Sequence, residues 1–139
     1  MTVITKTISL ETKGDVDLVD ITPHVSEALK ESCLFEGIVT IFVPGSMGSV
    51  STIEYEPGLL KDIPKALERI APSGIEYAHH RTWGCDNGKS HVRAILIGPG
   101  IVVPFINSKL TLGTWQQIVF MDFDTRPRKR ELIVQVMEE

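Results

Sequence analysis

Few of the features that would assign a chain to a ready-made class occur in this one. Only two cysteines, Cys33 and Cys85, stand among 139 residues, too few for a disulfide framework. In a reducing cytoplasm both are expected to be free thiols. No apolar run approaches the roughly 20 residues that span a bilayer, so no membrane partner is expected. The formal net charge of −4 argues against a broad electrostatic footprint for nucleic acid. The opening segment MTVITKTISLETKGD has neither the basic nor the apolar region of a secretory signal, and a cytoplasmic protein is expected. Internal repeats, low-complexity tracts and linkers are absent. So are paired CxxC and HExxH patterns, and no lysine follows Gly45-Ser46-Met47-Gly48 at the position a P-loop requires.

What is present fits one α+β domain over residues 1–139. Hydrophobic residues at 42% supply a core. Val3–Leu10 alternates and reads as a strand. Lys13-Gly14-Asp15 reads as a turn, with Val16–Ile21 as the return arm of a hairpin. Thr22-Pro23 opens a helix, Thr as N-cap and Pro at the first helical position. Ile38–Val43 is β-branched on both faces and reads as a buried strand; Val50–Glu56 alternates as another. Leu60, Ile63, Leu67 and Ile70 have helical spacing, but Pro64 restricts the predicted helix to Asp62–Ile70. His91–Ile97, Ile101–Ile106, Thr114–Phe123 and Arg128–Met137 read as strands joined by short turns, which favours antiparallel pairing. The expected architecture is two helices packed on a mostly antiparallel sheet or sandwich.

Between these elements lies YAHHRTWGCDNGKSH, Tyr77–His91, which carries three of the four histidines. Read as a loop on a rigid scaffold, it is where chemistry is usually displayed. His79, His80 and His91 can ligate metal or transfer protons, or simply bond within the loop. On a strand, His91 and Arg93 would share a face suited to an anion. Trp83 can stack on a planar ring or cover the core. Cys85 can be a thiolate ligand, and Asp86 a ligand or a partner for a histidine. Asn87-Gly88 is also a common turn pair. Glu54 is a candidate ligand or general base if its strand face fronts the loop, and otherwise a solvated residue. Cys33 reads on composition as a small core hydrophobe. Arg126, Arg128, Lys129 and Arg130 form either a phosphate-binding fork or a solvated hairpin tip. Gln116, opening an apolar strand, implies a specific hydrogen bond or a subunit contact.

GIVTIFVPGS (37–46), STIEYEPG (51–58), the His79–His91 frame and LTLGTWQQIVFMDFD (110–124) with its RPRKR tail resemble the YjbQ-like family, across almost the whole chain. The resemblance implies a small α+β domain, a homotrimer, and a weak thiamine-phosphate synthase (transferase) activity that joins a pyrimidine-methyl diphosphate to a thiazole phosphate. It implies site positions Cys33, Glu54, His79, Asn87, His91 and Gln116, with Arg128 and Arg130 as basic partners. The catalytic candidates are therefore Glu54, His91, Asn87 and Cys33. Those for substrate or cofactor are Trp83, Gln116, Arg93, Arg128 and Arg130, and those for a divalent metal His79, His91 and Cys85. Two departures matter: Gly45-Ser46-Met47 replaces a His-Thr-Thr, and Cys85 stands where relatives tend to have Asp. A thiol softens the site and favours zinc, with magnesium second. The expected partners are other copies of the chain and a small phosphorylated ligand. The alternative is a metal- or small-anion-binding protein without catalysis.

Overall fold

The chain weaves between two antiparallel sheets rather than completing either in sequence order. The computed structural model describes residues 1–139. Its elements are β1 (Thr2–Thr12), β2 (Asp17–Asp20), α1 (Thr22–Ser32), β3 (Glu36–Phe42), β4 (Gly48–Ile53), α2 (Pro57–Ile70), α3 (Ala78–Trp83), α4 (Gly88–Ile97), β5 (Gly100–Ile106), β6 (Lys109–Leu110), β7 (Gln117–Asp122) and β8 (Arg128–Glu138). The larger sheet has the order β1-β8-β3-β5-β6, the smaller β2-β7-β4. The α+β class holds. No helix is long and apolar enough to cross a membrane.

Strand β7 explains the layering. Ile118 and Phe120 join Val39, Ile41, Leu132 and Val134 in the core between the sheets, which α1 extends with Val25 and Leu29. Val119, Met121 and Phe123 point the other way, against Leu67 of α2 and Ala94 of α4. The small sheet is thus a middle layer, which is why the QIVFMDF run is apolar at successive positions.

Four local expectations are corrected. β1 and β2 do not form a hairpin: β1 pairs with β8 and β2 with β7. Gly14, Asp15 and Val16 have φ of 77°, 51° and 63°, and Asp15 N–H donates to Asp124 O at 2.5 Å, so the chain crosses to the other sheet. α2 starts at Pro57, not Asp62, and runs through Pro64. The Glu56 carboxylate accepts from Gly58 N–H at 2.8 Å and Leu59 N–H at 2.5 Å, and this N-cap fixes the first turn ahead of the proline. The β7 strand begins at Gln117 rather than Thr114, because Gly113–Gln116 closes as a turn.

The fourth correction bears on the site. Tyr77–His91 is not a single loop and His91–Ile97 is not a strand; together they form α3, a short connection and the whole of α4. Buried Ser90, Arg93 and Ala94 follow helical spacing, which a short apolar run does not distinguish from a strand. His80 Nε2 accepts the Gly88 N–H at 3.1 Å, capping α4 from the neighbouring helix. Gly88 is required there, since a Cβ would lie 2.5 Å from Tyr77 Cβ.

Arg93 therefore faces away from His91. It is 2% exposed; its Nε and Nη2 donate to Ala71 O at 3.1 and 2.8 Å, and Nη2 pairs with Glu68 at 2.8 Å. Arg93→Ala is expected to lower unfolding free energy by about 2–3 kcal/mol, because it leaves a buried carbonyl unpaired. Arg93→Lys recovers only part, since one ammonium does not reproduce the fork. Urea unfolding of the three proteins checks this, and equal midpoints would contradict it.

Candidate functional site

Two short helices and one loop meet at the end of the middle layer. His79 on α3 and His91 in the first turns of α4 bring their ring centroids to 4.4 Å, tilted by 57°. The Pro44–Met47 segment lies alongside, held by Phe123 N–H donating to Met47 O and Val43 N–H to Pro99 O, both at 2.9 Å. α4 is fixed to the middle layer by Ser49 Oγ donating to Ala94 O at 3.0 Å and by Ser90 Oγ donating to Phe123 O. The result is a concavity of about 440 Å³ lined by Gly45, Ser46, Gly48, His91, Ile95 and Pro99, with His91 as its titratable wall.

Burial pushes the His91 imidazole below its ordinary pKa, and the charge of His79 adds to the effect. A hydrogen bond with the Ser46 backbone and the negative charge of Asp124 act in the opposite sense without reversing it. The ring is thereby favoured in its neutral form, the form that ligates metal or accepts a proton. Behind it lies an ion-pair network: Arg130 meets Asp122 at 2.9 Å and Asp124 at 2.9 Å, Arg128 meets Asp124 at 2.8 Å, and Thr12 Oγ1 donates to Asp122 at 2.5 Å. Burial tends to raise the Asp124 pKa, but hydrogen bonding and charge from Arg128, the Thr125 backbone and Arg130 hold it below the ordinary range. Two buried oxygens have no hydrogen-bond partner: Asn87 Oδ1 and Asp124 Oδ1. Such groups are costly unless something bonds to them.

The sequence-predicted residues separate into two groups. His79, His91 and Asn87 come together; Asn87 precedes α4, with Nδ2 donating to Met47 Sδ at 3.2 Å. Trp83 ends α3 and is exposed, and Cys85 is half-buried between α3 and α4. Asp86 accepts from Thr125 Oγ1 at 3.5 Å. Arg128 and Arg130 are near but committed to Asp122 and Asp124. Glu54 and Gln116 lie elsewhere. β4 carries the chain about 20 Å from Gly48 to Glu54, at roughly 3.3 Å per residue, and Gln116 bonds to Thr52 at that far end. Cys33 is also distant: it is the exposed left-handed cap of α1 (φ 59°), not a core residue, and the whole of β3 separates it from Gly45. Asp122 and Asp124 were missed, whereas Ser46 lies in the Gly45–Gly48 loop that the sequence already marks. The D-F-D pattern, with acidic residues two apart before alternating arginines, was the available signal for the two aspartates.

No three His, Cys, Asp or Glu side chains of one chain converge as a metal cluster. One chain supplies two imidazoles at a half-buried rim, fewer than the three protein ligands of a catalytic zinc.

A middle-layer α+β sandwich with a paired-histidine cavity at one end defines the class. The family model described as UPF0047 protein YjbQ-like matches residues 6–139, and the chain belongs to that family. A UPF0047 protein of Methanothermobacter thermautotrophicus is 39% identical over 98% of this chain and 93% of its own length. One of Archaeoglobus fulgidus is 36% identical over 94% and 98%. A crystal structure of a YbjQ-like protein of unknown function from Sulfolobus solfataricus superposes with TM-score 0.93 at 30% identity, covering 99% of both chains. An uncharacterized conserved protein from Clostridium acetobutylicum gives 0.86 at 32%, over 95% and 99%.

The lowered His91 pKa makes a pH prediction. The unfolded chain takes up this proton near pH 6.5, before the folded one does. The His91 contribution to stability is therefore complete above that pH and falls as pH drops through the window down to the folded value. Urea unfolding at about pH 7.5 and about pH 5.5 should show a smaller acid loss in His91→Gln than in the wild type. An equal or larger loss in the variant would contradict the assignment.

Proposed function

We propose that this protein is a thiamine-phosphate-synthase-like transferase acting on a small phosphorylated heterocycle, working as a homotrimer with a divalent metal, zinc before magnesium, at His79 and His91. The observation that carries this reading is a largely apolar cavity lined by His91, whose ring centroid lies 4.4 Å from that of His79. The apolar wall suits a planar ring, while the neutral form favoured at His91 suits a cation or a donor group. Bond formation would join the thiazole nitrogen to the methylene carbon as the carbon–oxygen bond to diphosphate breaks. A bound metal would supply positive charge to the departing diphosphate. The chain's own residues position the ring and exclude water. Asp122 and Asp124 neutralise Arg128 and Arg130, so Arg128, the more exposed of the two, is the better basic partner for an anion.

Self-association is supported by the outer face of the larger sheet, where Ile38, Phe42, Val102 and Ile106 are exposed together on neighbouring strands. Adjacent exposed apolar residues of this kind mark interaction sites more often than bare surface.

A second reading, metal or small-anion binding without catalysis, is favoured by one observation: no nucleophile and base stand within hydrogen-bond reach of each other in the cavity.

Purified wild type and His91→Ala should be compared for thiamine phosphate formation and for zinc content. The transferase reading expects turnover in the wild type and a loss of about 10²-fold or more in the variant, with zinc lost in parallel. Zinc bound without turnover would support the second reading. Equal residual activity in both proteins would remove His91 from the chemistry.

A further inference from the structure

His79 and His91 stand on supports of unequal firmness. α4, which carries His91, is locked to its surroundings: Ser90 Oγ donates to Phe123 O, Ser49 Oγ donates to Ala94 O at 3.0 Å, and the Arg93 fork grips Ala71 O and Glu68. α3, which carries His79, has no such anchors. None of its six residues is buried, and its first turn has no side-chain cap. Arg81 pairs with Glu76 at 3.2 Å, but both side chains are exposed and Glu76 belongs to the segment just before the helix, so this pair fixes little. A helix so short is not stable in water by itself. Something outside it must place it.

The one side-chain hydrogen bond from α3 to another element comes from His80, whose Nε2 accepts the Gly88 N–H at 3.1 Å. That N–H belongs to the first residue of α4, where no carbonyl of the helix can reach it. Asn87, at the N-cap position, leaves it open: its side chain makes no cap bond, and its Nδ2 goes to Met47 Sδ instead. His80 supplies the cap that Asn87 withholds. Tyr77 braces the imidazole edge-on, with ring centroids 5.5 Å apart at 60°, and its own hydroxyl is anchored on Pro72 O at 2.7 Å. The bond also lies next to both members of the pair. His79 directly precedes His80, and His91 follows Gly88 by three residues.

We infer that His80 is the positioning residue of this site: it ties the loosely held α3 to the fixed α4 and thereby sets the distance of His79 from His91. Two of the three histidines in the segment face the ligand, and the third acts through them without touching it. The functional consequence rests on the metal reading proposed above, in which both rings must reach one ion at about 2.0–2.1 Å; the tie itself does not.

Three metal-free proteins labelled with ¹⁵N and ¹³C test this. They are the wild type, His80→Phe, which keeps a ring but removes the acceptor, and His80→Gln, which returns an acceptor oxygen at similar reach. The wild type should show scalar coupling across the hydrogen bond between Gly88 N and His80 Nε2, and nuclear Overhauser contacts between the His79 and His91 ring protons. His80→Phe should lose the ring contacts and His80→Gln should keep them, with circular dichroism unchanged in both. Zinc ion alone, titrated against a chromophoric chelator, should bind His80→Phe about 10-fold or more weakly than the wild type, and His80→Gln nearly as well as the wild type. A general loss of stability would not divide the two variants in this way. Absence of the coupling, ring contacts that persist in His80→Phe, a His80→Gln protein that loses them too, or equal zinc affinity in wild type and His80→Phe would each overturn the inference. A wild type that binds no zinc would instead remove the metal reading, while coupling and ring contacts still decide this one. The wild-type coupling needs no variant, so a variant that fails to fold leaves the test standing.

Discussion

The burial of β7 on both faces is the constraint on which the rest depends. A strand with one wet face tolerates polar residues at alternate positions; this one does not, because Ile118 and Phe120 fill one core while Val119, Met121 and Phe123 fill another. The middle layer is therefore fixed in register, since a slip by one residue would exchange the two cores. What β7 carries at its ends inherits that rigidity. At one end Asp122 and Asp124 meet the arginines and the histidine pair; at the other the Gly113–Gln116 turn holds Trp115 out.

The carboxylate–arginine network has a second consequence. Two buried aspartates paired with guanidinium groups add little net stability, because desolvation offsets most of the Coulomb gain. They do fix geometry. Each guanidinium is directional, so Arg130 ties β8 to the end of β7 in one arrangement, and Asp124 is held with a single oxygen left free. The basic tail, which in sequence resembles a phosphate fork, is mostly committed to this internal purpose.

The sequence disclosed the antiparallel strands, the opening of α1 at Thr22-Pro23 and the grouping of His79, Asn87 and His91. These follow from local rules: alternation, N-cap chemistry, and ligand types set close along the chain. What it concealed was non-local or ambiguous. HVRAILI is apolar at nearly every position, so period two and period 3.6 both fit it, and the choice depends on whether His80 and Asn87 cap a helix. Pro64 points to a start at Asp62, but the helix runs through it from Pro57 because the Glu56 cap sets the first turn ahead of the proline. Gln116 and Cys33 join the histidines by resemblance alone, and Glu54 by resemblance and by its strand face; the single chain separates all three from the pair by the length of a strand. The Asp122–Asp124 pair was visible as a pattern, but its meaning depends on Arg130 arriving from the next strand.

One topological detail reaches beyond the native state. β8 lies between β1 and β3 and pairs with both, and the residues joined across β1 and β8 are more than a hundred positions apart, as with Thr12 and Arg128. Until that late strand is synthesised, β1 and β3 each show an open hydrogen-bonding edge to the crowded interior of the cell. Such edges invite pairing with foreign strands, and long-range closure is slow. During biosynthesis the nascent chain must pass through an adhesive half-built sheet, and its yield in a host will depend on how quickly translation delivers β8.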